Sequence, residues 1–233
     1  SMVLYKAETA NISATADGVT TPTPLGVTVT DAGTSHFVIT GSATQTAGAT
    51  NALTITATDA YGNLTAGYAG DKLLTFSGAN SIGSYDPTVA DKDGAAVAFG
   101  TPTTITFVAG SSTVGGSMVL YKAETASISA TADGMTTLSP LSVTVSSTTA
   151  SYLQVTGSAT QTAGAANELT ITARDIYGNT ATGYAGSKNL TFSGLSNSPK
   201  GDVPTVEGIN FGSATAVTFT SGVSDAGAAT LIA

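Results

Sequence analysis

Residues 117–126 read SMVLYKAETA, and the same ten letters occupy residues 1–10. A repeated decapeptide does not arise by chance. The chain is therefore a tandem repeat with an offset of 116 residues (117 − 1), and every other feature is read in that frame. Its 233 residues hold two such periods. Each period is long enough to bury a core of its own and lies near the commonest domain size.

The two copies check each other strand by strand. Residues 1–31 match residues 117–147 almost throughout. They predict three strands: 2–7, the alternating 10–16, and Leu25–Val29. Asp17-Gly18 marks a turn, and Pro22 and Pro24 mark a connection. A longer stretch follows from about residue 34 to 147, with a second copy from about 150 to 233. Its first strand, Phe37-Val38-Ile39, becomes Leu153-Gln154-Val155, so the outer two residues point inward and the middle one outward. Leu53, Ile55 and Ala57 repeat as Leu169, Ile171 and Ala173, with the position of Thr58 and Arg174 expected outside. Leu74 and Phe76 repeat as Leu190 and Phe192, while Leu73 becomes Asn189. Ile105 and Phe107 repeat as Val217 and Phe219, at an offset reduced by the four residues missing between 195 and 212 relative to 81–100. A length change confined to one segment marks a surface loop.

Short strands of period 2, frequent turn signals and almost no helical periodicity predict an all-β chain of tandem immunoglobulin-like antiparallel β-sandwiches. In that frame residues 1–31 are the closing strands of a preceding or neighbouring repeat. Residues 34–147 are a complete repeat, and 150–233 a repeat lacking its last two strands. Composition narrows the function. With a net charge of −8, nucleic acid and anionic membranes are poor partners. No apolar run approaches the ~20 residues of a membrane helix, so this segment is not expected to insert. There is no Cys, which excludes disulfides and thiolate metal sites, and a single His, His36. Residue 1 is Ser and no signal-peptide pattern follows, so the sequence reads as a processed or excised piece.

Two turns punctuate the copies: Asp59-Ala60-Tyr61-Gly62-Asn63 and Asp175-Ile176-Tyr177-Gly178-Asn179. Asp can accept backbone hydrogen bonds at the start of a turn, and Gly-Asn tolerates positive φ. Asp59, Gly62, Asn63, Asp175, Gly178 and Asn179 are therefore the structural turn residues. Gly-Tyr-Ala-Gly follows in both copies, at 67–70 and 183–186, ahead of the Leu-x-Phe strand. This order resembles the bacterial Ig-like (Big-like) tandem repeats of invasin- and intimin-type adhesins and other large surface proteins. The resemblance implies a secreted, cell-surface, non-catalytic array serving as stalk, adhesive surface or filament. Its partners would be neighbouring repeats or further copies of itself, and a host or cell-surface glycan or protein. An Ig-like carbohydrate- or ligand-binding accessory module is the alternative. Tyr61, Tyr68, Tyr177 and Tyr184 are its best stacking candidates, against a plainer role packing turns onto the sheet.

Other candidates have ordinary readings. Asp91-Lys92-Asp93-Gly94 resembles a fragment of a calcium loop but lacks the full spacing and does not repeat, so it reads as a hairpin tip. Lys6/Lys122 and Lys72/Lys188 recur, as an isopeptide bond to Asn would require, yet they also suit snorkelling strand-end lysines. Asn11, Asn63 and Asn189 lie in glycosylation sequons. No Ser-His-Asp set, phosphate loop or repeated carboxylate pair is present, so neither enzyme nor cofactor is expected.

A repeat without closing strands should expose an apolar inner face and an unpaired edge. Ile12, Ala14, Leu25, Val27 and Val29 have the pattern of the missing strands. Either the N-terminal strands of one molecule complete the last repeat of the next, head to tail, or neighbouring residues of a longer covalent array supply them.

Overall fold

The computed structural model describes residues Ser1–Ala233. The chain is all-β, built of antiparallel sheets with no helix, and its fold is the β-sandwich. It divides into two compact units. One comprises Ser1–Ser81, Asp86–Leu120 and Glu124–Val145; the other comprises Ile82–Tyr85, Tyr121–Ala123 and Ser146–Ala233.

In the first unit one layer runs, in hydrogen-bonded order, His36–Thr40, Thr54–Thr58, Ser111–Val114, Pro102–Val108 and Gly70–Ser77. The other layer is Ala96–Ala98, Thr88–Ala90, Ser117–Val119 and Thr50–Ala52. Thr125–Ala132 joins strands that would otherwise be edges. Its Ser129–Thr131 half pairs with Gly70–Ser77, and its Thr125–Ile128 half pairs with Leu141–Ser146, which lies beside Thr44–Thr46. Alternation puts Phe37, Ile39, Leu53, Ile55, Ala57, Leu74, Phe76, Ile105 and Phe107 inside, and leaves Val38 and Leu73 exposed. Ala126, Ile128, Ala130, Ala132, Val143 and Val145 close over them, all buried.

The second unit repeats both layers. Tyr152–Thr156, Thr170–Arg174, Val223–Ser224, Ala214–Thr220 and Gly186–Thr191 form one. Ala166–Glu168, Thr230–Ile232, Thr205–Val206 and Ile209–Asn210 form the other. Here Gly186–Thr191 is a free edge. Ile171, Val206, Val217, Phe219 and Ala229 are buried. Leu153 and Val155, expected to be inward, are 39% and 55% exposed, where their counterparts Phe37 and Ile39 are 0% and 4%. Leu190 and Phe192 are only half-buried. The direction of these side chains is as the alternation requires, but the strands that cover them in the first unit have no equivalent here. For the same reason residues 160–162 form no strand, whereas Thr44–Thr46, alongside Leu141–Ser146, does.

Three local expectations need correction. Residues 2–7 are not a strand; the N-terminal strand is Glu8–Ile12, paired with Leu25–Val29. The counterpart of residues 1–3, Ser117–Val119, is a strand because Thr50–Ala52 and Thr88–Ala90 flank it, and residues 1–3 have no such flanks in this structure. The stretch 10–16 breaks at Ser13-Ala14, whereas Thr125–Ala132 is continuous against Gly70–Ser77. The position of Thr58 and Arg174 is not simply outside. Thr58 is buried under the turn that bridges back at Leu64, its hydroxyl donating to the His36 carbonyl. Arg174 lies half-buried, with Nε donating to Gln154 and Nη1 to Thr180 Oγ1 and the Gly178 carbonyl. The cost of burying it is met by those acceptors.

Candidate functional site

The repeated Asp-x-x-Gly-Asn turn is built the same way in each unit. Asp59 N–H donates to the Asn63 carbonyl at 2.9 Å and Gly62 N–H to the Asp59 carbonyl at 3.1 Å. Gly62 has φ +84° and Gly178 φ +95°, the left-handed region where a Cβ would be strained. One Asp59 carboxylate oxygen accepts Tyr61 N–H at 2.9 Å and Asn63 N–H at 2.8 Å. The other accepts the Asn63 amide at 2.9 Å and Ala32 N–H at 3.0 Å. Asp175 makes the same four contacts, to Tyr177, Asn179, the Asn179 amide and Thr148. Burial pushes the Asp59 carboxyl up, but the Asn63 amide and the N–H groups of Ala32, Asn63 and Tyr61 outweigh it and hold it down at about 2. Asp175 is lowered in the same way: burial raises it, and Asn179, Thr148 and Tyr177 more than compensate.

The Asn at the end of the turn reaches a second stretch of chain. Asn63 Oδ1 accepts Ala7 N–H at 2.8 Å while its Nδ2 donates to the Tyr5 carbonyl at 2.7 Å. In the second unit Asn179 holds Ala123 N–H and the Tyr121 carbonyl, both at 2.7 Å. One side-chain amide thus reads a backbone donor and acceptor two residues apart, as a neighbouring strand would. Each turn is a clamp on two segments, 5–7 and 32 in one unit, 121–123 and 148 in the other. Aromatic rings pack beside it. Tyr5 lies over Tyr61 with centroids 4.9 Å apart, and Tyr121 meets Tyr177 at 5.1 Å with Tyr85 against both.

The sequence identified the turn but not what it holds. The signal was present in the repeat, because Tyr5-Lys6-Ala7 and Tyr121-Lys122-Ala123 are identical and stand 56 residues before Asn63 and Asn179 when counted from Ala7 and Ala123. Tyr85 carried none, since the second copy has no matching Tyr.

The other candidates have structural occupations. Tyr68 is buried edge-on to Phe37 and Phe107, and Tyr184 packs edge-on against Phe219. Burial, with the Asp133 charge and hydrogen bond, pushes the Tyr68 hydroxyl up to about 12. Lys72 and Lys188 place their ammonium groups over the Tyr68 and Tyr184 rings, at 4.8 and 5.1 Å. Asp91 accepts Asp93 N–H and Ala95 N–H within its own loop, and Lys92 pairs with Asp71 and Asp93. The Asn63 amide of the second sequon is consumed by the clamp.

The strand-donor candidates lie in one preformed hairpin. Ala10 pairs with Val27 and Ile12 with Leu25. Ala14 is tied to Thr21 by three bonds, from its N–H to the hydroxyl and from the Thr21 hydroxyl and N–H to its carbonyl. Ile12, Val27 and Val29 are half-exposed, and Ala14 and Leu25 exposed.

No protein-family model matches the chain, and no curated protein matches it. The solved structures similar to it include two at low identity. The adhesin InvE of Yersinia pseudotuberculosis shares 17% identity at a TM-score of 0.33, over 84% of this chain and 50% of that one. Surface layer protein SbsC, domains 4–9, shares 14% identity at a TM-score of 0.32, over 95% of this chain and 30% of that one. The chain spans half or less of either.

Proposed function

We propose that this chain is a stretch of a non-catalytic structural array on a bacterial cell surface, in which folded modules follow one another and each sandwich is completed by a hairpin from the next sequence period. The observation that carries the reading is the duplicated clamp. The same Asp and Asn, with the same partners and nearly the same distances, fix the same chain segment in both copies. A repeat that keeps the same joints in both copies, and spends its repeated polar groups on backbone, is built to hold a geometry. The tyrosines that would serve a sugar-binding module support the same view, since Tyr68, Tyr177 and Tyr184 pack against other rings. The cell surface and the array come from the Ig-like pattern of the sequence and remain part of the proposal.

The test uses an antibody raised against the folded chain. Intact cells of the source organism should be labelled, and protease added outside should remove the label. Labelling that needs permeabilised cells would overturn the surface assignment. Binding of the chain to a defined glycan on an array, lost on Tyr61→Ala, would favour the accessory-module reading instead.

A further inference from the structure

We propose that the first unit is a load-bearing element, in which the strand that brings the chain in and the strand that takes it out form a shear lock against tension along the chain. The load comes from the array reading, whereas the lock is a property of this unit alone and is tested on it alone.

The lock follows from strand direction. His36–Thr40 brings the chain into the sandwich and Leu141–Ser146 takes it out. Phe37 bridges Thr137 in parallel, and Leu138 N–H donates to the Phe37 carbonyl at 3.1 Å. Further along, Thr144 N–H donates to the Ala43 carbonyl at 2.9 Å. Between these two bonds both segments advance by six residues, 43 − 37 and 144 − 138, so they run in the same direction. Thr44–Thr46 continues the contact beside Leu141–Ser146. The chain therefore enters at one end of this ladder and leaves at the other. Tension drags the two segments past each other lengthwise, so the bonds across them share the load instead of opening one after another.

Packing reinforces the bonds. Phe37 and Ile39 on the entering side, and Val143 and Val145 on the leaving side, are buried. Neither segment can slide without drawing apolar side chains out of a close-packed core. The other edge of the entering strand is paired from His36 on Thr58 to Thr40 on Thr54. The other edge of the leaving strand is paired with Thr125–Ile128. Ahead of the entering strand, Ser35 N–H donates to the Thr58 carbonyl at 2.8 Å and Ala32 N–H to the Asp59 carboxylate at 3.0 Å. A pull on the residues before 32 thus reaches the Asp59 turn first and the strand second.

The same unit is weak in another direction. Thr136 lies beside the point of entry, because Phe37 meets Thr137. A pull between residues 30 and 136 opens the ladder from that end, bond by bond. The sequence also supplies a variant of the lock, since Pro22 stands where the other copy has Leu138. Thr21 keeps the bonds to Ala14 that Thr137 makes to Ala130, so the backbone accepts Pro at this place. Leu138→Pro removes the N–H that bonds Phe37, and the side chain it replaces is 71% exposed, so the core is left as it was.

The experiment pulls the full chain by single-molecule force spectroscopy. The chain has no Cys of its own, so handles attach only at Cys pairs introduced at exposed positions. Thr30→Cys with Thr149→Cys pulls lengthwise, and Thr30→Cys with Thr136→Cys pulls across. Lengthwise unfolding should be one event that frees about 400 Å of chain, 119 residues (149 − 30) at about 3.4 Å each. Its force should be several-fold the force across. Forced unfolding reports the unfolding barrier and not equilibrium stability, so two variants separate them. Val89→Ala truncates a buried side chain in the four-strand layer and should lower urea stability more than Leu138→Pro does. Leu138→Pro should lower the lengthwise force more than Val89→Ala does, and change the force across little. Equal forces in the two directions, or lengthwise forces that rank the variants as urea does, would overturn the lock. The comparison of directions needs only the handles, so it decides the matter even where a core variant fails to fold. Neither result touches the surface assignment, which the labelling experiment decides.

Discussion

The two units carry the same strand pattern, yet one has a closed core and the other does not. Phe37, Ile39, Leu74 and Phe76 are sealed in the first; Leu153, Val155, Leu190 and Phe192 are half-sealed or open in the second. The five-strand layer and the four-strand layer form in both, so neither needs the closing hairpin to fold into its pairing. What the hairpin adds is burial on one flank, two paired strands at the edge, and order in the segment 44–46 that 160–162 lacks. The difference teaches that strand pairing is set locally by alternation and turns. Core closure depends on a segment that belongs, by sequence, to the next period.

The largest expected effect tests that division directly. Phe76→Ala should destabilise the first unit by about 3–5 kcal/mol, because a fully buried ring leaves a cavity. Phe192→Ala should cost less than half as much, since part of that ring already faces water. Residue-resolved amide exchange under native conditions reads each unit separately, and equal losses would erase the contrast. The clamp should behave oppositely. Asn63→Ala and Asn179→Ala each strand a backbone N–H and a carbonyl, for roughly 1–3 kcal/mol, and by similar amounts in both units because neither contact involves the hairpin. Faster exchange at Ala7 in one variant and Ala123 in the other is the readout; a large asymmetry would mean the joints are not equivalent.

Acid gives a smaller effect. The Asp59 carboxyl titrates lower in the folded chain than its ordinary 3.8, at about 2, and Asp175 is lowered too. The Asp59 contribution is therefore present above pH 3.8 and is lost as pH falls through the folded value near 2, and that of Asp175 is lost as pH falls through its own lowered value. Carboxyl chemical shifts followed below pH 3.8 should show both clamps loosening. The last effect is expected to be zero. Lys6, Lys72, Lys122 and Lys188 should all remain amines, so intact mass should equal the sequence mass. A deficit of one ammonia per unit would replace the cation–π reading of Lys72 and Lys188 by covalent cross-links.

Most of the sandwich was legible because two copies vote on each position. Val38 against Gln154 and Leu73 against Asn189 mark outward sites that one copy alone would leave ambiguous. The failures occur where burial is decided by something other than the strand itself. Thr58 lies under a turn four to six residues further on, and alternation cannot see over a turn. Residues 2–7 have strand composition but no flanking strands. The turn residues were readable from Asp, Gly and Asn chemistry, whereas their partners at Ala7, Tyr5 and Ala32 are contacts between segments 27 to 58 residues apart, which no local pattern encodes.

The mismatch between the sequence period and the folded module has a genetic consequence. The repeat can be cut anywhere along its 116-residue period, and unequal recombination between copies would add or remove one whole period. Any such event deletes or inserts one covering hairpin and one pair of layers together. Copy number can drift from one generation to the next while each sandwich that remains keeps the hairpin that closes it.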